Sequence, residues 1–462
     1  MAWKTSTMPY DTRDIDAFRT AHPTIEMVDV VIADNHGVPR GKRVPADKLA
    51  AMWRDGVLFP ESIFSLDRAG DTVDAAGLGV ARGDVDHPCL PLPHSLTPVP
   101  WRDGLGQVQV TMRGPNGGGF FADPRQVLEN VLGHFHRDGW QPVAAVEMEF
   151  YLLDAATGPD GQPRPPRGEI SGRRAANVDV YSLDDLNDNA ACLTAIEAAA
   201  RAQGLPLSAV VSENAPSQFE INLTHRADPV RAADEAMLLK RLIKGVAHSQ
   251  GKLATFMAKP FADLPGNGTH VHVSVCDDAG ANIFADPARA DGAAQLRYAI
   301  AGLQATFAES LALLLPTPNA FKRLRFHGSD YAPGAATWGL NNRTVALRVP
   351  AGPLEARRVE HRIAGADANP YLVMAAVLAG IHYGLTAGDA PTPATVGNAY
   401  DQDNRPPPTP PEAFAAFAAA RHLDRYIGGD FRAVHLACLR AEHDRFEGHI
   451  TPFERDQYLA SS

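Results

Sequence analysis

Glu147 and Glu149 stand two residues apart in the apolar, β-favouring stretch AAVEMEFY, residues 144 to 151. Side chains two apart on a strand share a face, so the two carboxylates are expected side by side. On a solvated edge this would be ordinary surface charge. In a buried strand, bare carboxylates are too costly unless a cation or a partner compensates them. Similar placements recur along the chain. Glu213 and Glu220 fall in VSENAPSQFEINL, residues 211 to 223, the second in a strand beginning at Gln218. His270 and His272 share one face in GNGTHVHVS, residues 266 to 274, and Glu360 stands among arginines in RRVEHR, residues 357 to 362. Singly, each has a plain reading as a hydrogen-bonded strand histidine or a surface salt-bridge network. Together, five glutamates and a histidine on apolar strands form an oxygen-rich donor set that suits Mg²⁺ or Mn²⁺ better than zinc.

The arginines extend this chemistry. Arg343 in WGLNNR, Arg348 in ALRVP and Arg358 in RRVEHR offer planar forks for phosphate oxygens. Paired divalent ions with arginines are what in-line phosphoryl transfer requires. No GxxxxGK[ST] segment occurs, and Gly266 and Gly268 do not open a dinucleotide-binding fold.

The elements that must carry these residues can be outlined from pattern. Residues 24 to 44 read as a hairpin turning at Asn35-His36-Gly37, and GQVQVTMRG after Trp101 reads as a further strand. The breaker cluster GPNGGG at 114 to 119 sets a division between a small N-terminal unit, 20–117, and a larger one, 118–462. Beyond it, helices are expected from Asp123-Pro124 to about 138, over 190 to 203, over 232 to 250 and as one long helix over 293 to 315. They alternate with short strands, an α+β pattern without internal repeats. RPPPTPP, residues 405 to 411, reads as a stiff connector or a plain surface loop.

Composition bounds the function. With 462 residues, 45% hydrophobic and 21% charged, the chain can build a sizeable core as a soluble protein. A formal charge of -11 and no long basic block argue against a nucleic-acid surface and fit, weakly, attraction of cationic substrates. Cys89, Cys192, Cys276 and Cys438 are scattered, which suggests neither zinc nor disulfides and places the protein in a reducing cytoplasm. Residues 1 to 9 lack a secretory pattern, and no run of about 18 apolar residues suggests a membrane span.

The motifs, in order, resemble those of the glutamine synthetase family from about residue 24 onward: the Glu147/Glu149 strand, ENAPSQFE, ATFMAKP, GNGTHVHVS, PTPNAFKRL, WGLNNRTVALRVP and RRVEHRIAGADANPYL. The resemblance implies a β-grasp-like N-terminal domain on a larger α/β catalytic domain, assembled into stacked rings, a dodecamer, with active sites between neighbouring subunits. It implies one metal held by Glu149, Glu213 and Glu220, and a second by Glu147, His270 and Glu360. His272, Ser274 and Arg358 would contact ATP, with Arg343 and Arg348 facing the transferring phosphate. Gly266, Arg362 and Arg323 would bind glutamate, Arg325 being the rival of Arg323.

Against the family's ammonia-using pattern, the chain differs at several positions. Tyr331 in SDYAP stands where a glutamate is usual, LFPESI at 58 to 63 lacks an expected aspartate, Pro265 replaces an asparagine, and Ser217 replaces a glycine. An ammonium ion must be attracted and deprotonated before it attacks, and carboxylates serve both ends. Their loss, with YAP, WGxNNR and ALRVP, resembles the γ-glutamylpolyamine synthetase branch. That branch implies an ATP-dependent ligase joining glutamate to a primary amine, with Glu213 orienting the amine. Acidic residues Glu61, Asp67 and Asp330 are expected on entrance loops. Two alternatives stand beside this: an ordinary glutamine synthetase drawing ammonium carboxylates from Glu61 or Asp330, and a non-catalytic relative that kept the fold.

Overall fold

A computed structural model describes residues 13–159, 161–289, 291–324, 331–401 and 408–461. Its frame is two sheets. The first contains β1 (Met27–Ala33), β2 (Pro39–Pro45), β3 (Val57–Pro60), β4 (Asp86–Pro91), β5 (Thr97–Pro98) and β6 (Leu105–Met112). Its order is β2-β1-β6-β4-β3, with β5 beside β6, and β1 runs parallel to β6. The β1–β2 hairpin forms where the turn residues predict it. Asp34 Oδ1 accepts the amides of His36 and Val38, both at 2.9 Å. Gly37 sits at φ +70, where a side chain would be strained and its Cβ would lie 3.0 Å from Asn369 Cα. The same Asn369 donates to the Asp34 carbonyl, 2.9 Å, so the turn is tied to the second half of the chain.

The second sheet contains β7 (Trp140–Asp154), β8 (Leu207–Ser212), β9 (Gln218–Leu223), β10 (Lys252–Thr255), β11 (Thr269–Asp277), β12 (Trp338–Leu340), β13 (Leu347–Val349) and β14 (Val359–His361). The order is β12-β13-β14-β11-β7-β9-β8, with β10 also on β7. All its pairings are antiparallel except β12 with β13. One face of β7 buries Val146, Met148, Phe150 and Leu152 in the main core. Helices Pro124–Arg137, Ala190–Ala202, Pro229–Ser249, Ala294–Ala305 and Pro370–Ala387 add to that core. The last is capped by Asn369, whose side chain accepts from the Tyr371 amide, and it starts on Pro370. Among the described residues it alone is long and apolar enough to cross a membrane, and 78% of it is buried inside the protein.

Three expectations need correction. The long helix over 293 to 315 is two helices, Ala294–Ala305 and Phe307–Leu314. The break falls at Thr306, whose hydroxyl bonds the Gly302 carbonyl at 2.9 Å, a back-bond that bends helices. The described end of the proline-rich connector is not a linker: Pro410 and Pro411 open the helix Pro410–Ala418, where a missing amide is tolerated; residues 405–407 lie outside the described residues. Helix Pro229–Ser249 begins three residues before the expected 232, since Asp228 caps it. The core of the first sheet takes in Ile15, Phe18, Phe120 and Val434, and we keep the division at 117/118 as a proposal. All four cysteines are free.

Candidate active site

The strand register carries the site. In β7, Glu147 lies opposite His270 of β11 and opposite Asn222 of β9, while Glu149 lies opposite Glu220. His272 of β11 faces Glu360 of β14, which in turn faces Arg348 of β13. Because neighbouring side chains two apart share a face, these pairings gather the polar residues on the side of the sheet away from Val146 and Met148. Glu213 follows the end of β8 and joins them from the edge, its amide bonded to the Gln218 carbonyl at 2.8 Å.

Three ligand-like groups form, two of which share Glu147. Glu149, Glu213 and Glu220 each bring an oxygen within 4.8 Å of the others. Glu147 groups in the same way with Glu220 and His270, and also with His272 and Glu360. His270 Nδ1 lies 3.4 Å from Glu147 and 3.7 Å from Glu220, and its Nε2 lies 3.8 Å from Glu149. His272 Nε2 lies 3.0 Å from Glu147. His270 and Glu360, expected on the same ion, fall in different groups, because the register sets Glu360 opposite His272 instead. His272, expected on the nucleotide, therefore stands between Glu147 and Arg358, whose Nε donates to its Nδ1 at 3.2 Å.

The electrostatics are those of a crowded acid cluster. Burial, then Glu149, pushes Glu213 up to about 8, against the opposing pull of Arg343. Burial, then Glu147, Glu149 and Glu213, pushes Glu220 well above the ordinary carboxylate range. Burial also opposes ionisation of Glu147, but hydrogen bonds with His270 and His272 hold it below that range. Glu360 is held at about 2, since Arg362 and then His272 and His270 outweigh its burial. Such carboxylates fit divalent cations, which would supply the positive charge that the glutamates lack among themselves, through oxygen donors that suit Mg²⁺ or Mn²⁺.

Cationic side chains stand around these acids. Arg348 pairs with Glu360 at 2.8 Å and donates to Asn341 at 2.9 Å. Arg362 bonds the other Glu360 oxygen. Arg323 is buried and donates to the carbonyls of Ile363, 2.9 Å, and Arg362, 3.4 Å. Arg343 is exposed and lines the same cleft, of about 590 Å³, as Arg358, Gly266 and the four glutamates 147, 149, 213 and 220. Gly266 approaches the backbone closely: a Cβ there would lie 2.2 Å from the Ala258 carbonyl oxygen. Ser274 is on the His270/His272 face of β11, half-buried and outside the cleft lining.

The entrance differs from expectation. Glu61 is buried beside His87 and Arg82, at 3.6 and 3.5 Å, and Asp67 binds Arg445 at 2.8 Å; neither lines this cleft. Each carboxylate is taken up by a local cation. Arg325 and Asp330 lie outside the described residues. Tyr331 does line the cleft, as do Tyr181, Asn214, Gln218 and Asn222, which pattern reasoning did not single out. Gln218 donates to the Gly266 carbonyl, 2.9 Å, and to Asn267 Oδ1, 3.0 Å, fixing the glycine loop. Its signal was available in the alternation of SQFE. Tyr181 and Tyr331 hold φ of 62 and 49, a left-handed backbone that bulky residues adopt where function or packing imposes it.

Comparison with known proteins gives a consistent picture. Residues 121–458 match the family model described as glutamine synthetase, catalytic domain. The gamma-glutamylputrescine synthetase PuuA of Escherichia coli strain K12 is 39% identical over 454 residues, covering 98% of this chain and 95% of that protein. A glutamate–isopropylamine ligase of a Pseudomonas species is 35% identical over 384 residues, 81% of each chain. A solved structure described as GmaS in complex with ADP superposes with a TM-score of 0.84 at 28% identity, covering 97% of this chain and 100% of the other.

Proposed function

The chain belongs to the glutamine synthetase family, ligases that work with ATP and divalent metals, and on that premise we propose that it joins the γ-carboxyl of glutamate to a primary amine. The observation that carries this reading is the inventory of acids in the cleft. Among the described residues, its carboxylates are Glu147, Glu149, Glu213 and Glu220, all crowded on the strand floor as prospective metal ligands. At Tyr331, where the ammonia-using pattern has a glutamate, a phenol lines the wall instead. The activities named for the two relatives, one a putrescine and one an isopropylamine ligase, support the same choice.

In this reading Glu149, Glu213 and Glu220 hold one ion, and Glu147, shared by two separate groups in the ion-free geometry, would draw His270 from one and Glu360 from the other onto the second ion. When bound, the ions would neutralise the floor of the cleft and the oxygens of the phosphoryl group in transit from ATP to glutamate. Arg343, exposed in the cleft wall, stabilises the charge that develops on that group, and Arg348, anchored by Glu360 and Asn341, does so from a fixed position. His272, Ser274 and Arg358 serve the nucleotide. Gly266, Arg323 and Arg362 position glutamate, with Arg323 steadied by its two carbonyl contacts. Glu213 orients the amine for attack on the γ-glutamyl phosphate. We further propose a cytoplasmic homo-oligomer in stacked rings with shared sites; exposed Phe453, Tyr458 and Leu459 near the C-terminus suit contacts between copies.

The ammonium reading needs a further acid near the nucleophile, and Glu61 is occupied by His87 and Arg82. Phosphate release with glutamate, ATP and Mg²⁺, against ammonium, putrescine, spermidine, ethanolamine, methylamine and isopropylamine, tests the proposal. A primary amine should outpace ammonium. Ammonium ranking first would overturn the amine assignment, and no release with any of the six would overturn the ligase reading.

A further inference from the structure

A second cavity, of about 610 Å³, lies between the first sheet and the helix Pro229–Ser249 and shares no lining residue with the catalytic cleft. Its charge is opposite to that of the molecule. In a chain of net charge -11, Arg43, Arg102, Arg241, Lys244 and Lys252 line it against one carboxylate, Asp29. Asp29 is already divided between two guanidiniums, with Arg43 Nε at 2.7 Å on one oxygen and Arg241 Nη2 at 2.6 Å on the other. Lys252 reaches Glu169, 3.2 Å, which is outside the lining. Among the described residues, Arg102 and Lys244 have no carboxylate partner. The Lys244 ammonium, 5.7 Å from the Phe256 ring centre, is held below the ordinary lysine value by burial and then by Arg68. An anion beside it would act in the opposite sense.

One wall of the cavity is aromatic. Trp101 lies against Gly245, where a Cβ would meet the indole Cε2 and Nε1 at 2.3 Å, so only glycine lets the ring pack on the helix. Leu105 and Ala254 complete an apolar floor beside the cations. Guanidinium forks and ammonium groups around a concavity match a compact anion with several oxygens and at least two charges.

We propose that this cavity is a second ligand site, for a small phosphate-bearing anion, distinct from the catalytic cleft. Lys244, Arg102 and Lys252 bind the phosphate oxygens, Arg43 and Arg241 stay locked on Asp29 as the rear wall, and Trp101 covers one side. Binding there is electrostatic, so it weakens as ionic strength rises.

Calorimetric titration of the full-length protein with inorganic pyrophosphate, in EDTA so that no metal bridges the catalytic carboxylates, provides the test. The proposal expects saturable binding that the double variant Arg102→Ser/Lys244→Ser weakens at least ~tenfold, that Arg343→Ala leaves unchanged, and that added salt reduces. Amine-dependent turnover of the double variant without pyrophosphate should stay within about twofold of the parent, since neither residue touches the catalytic cleft. If the double variant fails to fold, Arg102→Glu, a single change at an exposed position, should weaken binding by at least as much. Undiminished pyrophosphate binding in these variants would overturn the proposal. So would loss of binding in Arg343→Ala, which would move the anion to the catalytic cleft. A third refuting result is a change in assembly size in the double variant with pyrophosphate binding intact, which would make the cavity a contact between copies.

Discussion

Removing divalent metal should make this protein less stable as the solution becomes more alkaline, and Glu213 supplies the reason. Its carboxyl rises from an ordinary 4.5 to about 8 in the folded state, by burial and then by the charge of Glu149. Below pH ~4.5 both folded and unfolded chains carry the proton, and above about 8 neither does. Between these limits the folded chain holds a proton that the unfolded chain has lost, so stability falls as pH rises through the window. A rise of this size corresponds to about 5 kcal/mol over the whole interval. Glu220 is shifted in the same direction, whereas Glu147 and Glu360 are shifted down and titrate below the window. Mg²⁺ must displace the proton of Glu213, so loading the site at pH 7 should release protons, and metal affinity should climb with pH. Thermal melts in EDTA and in Mg²⁺ from pH 5 to 9, with calorimetry in two buffers of different ionisation enthalpy, measure both effects. A metal-free protein whose melting point is flat or rises toward pH 8, together with a binding heat independent of buffer, would refute the reasoning.

Glu360→Ala should lower phosphate release by more than ~100-fold. It should also lower stability by about 3–5 kcal/mol in urea titrations, because Arg348 and Arg362 lose the carboxylate between them. Arg343→Ala, at an exposed position, should leave the melting curve within about 0.5 kcal/mol of the parent while phosphate release falls ~100-fold. Asp234→Asn acts on the fold and not on the cleft, by removing a buried charge: this fully buried carboxylate holds Arg125 at 2.9 Å, Tyr371 at 2.7 Å and His94 at 3.0 Å. Its loss should shift the urea midpoint by an amount equivalent to about 3–5 kcal/mol.

The strands that carry chemistry were the most legible parts of the chain. β7 and β11 announce themselves because acids or histidines recur at a spacing of two within apolar runs, and that spacing survives any uncertainty about their ends. Helix Pro124–Arg137 was readable from Asp123-Pro124, a cap followed by a residue that tolerates a missing amide. What could not be read is which strand lies beside which. β12, β13 and β14 have three residues each, too few to show a period, yet they carry Arg348 and Glu360. The partition of His270 and His272 follows from cross-strand register, a long-range property that local pattern does not encode. Glu61 misled for the same reason: an acid in a loop looks available until Arg82 and His87 fold against it.

The alternation along β7 has a consequence for how errors in assembly would be caught. A slip of one residue between β7 and β11 would turn Met148 toward the cleft and drive Glu147 and Glu149 into the apolar core. A mispaired chain would then lack the cluster proposed to hold a divalent ion, so a bound ion would favour only the sheet whose strands are aligned correctly.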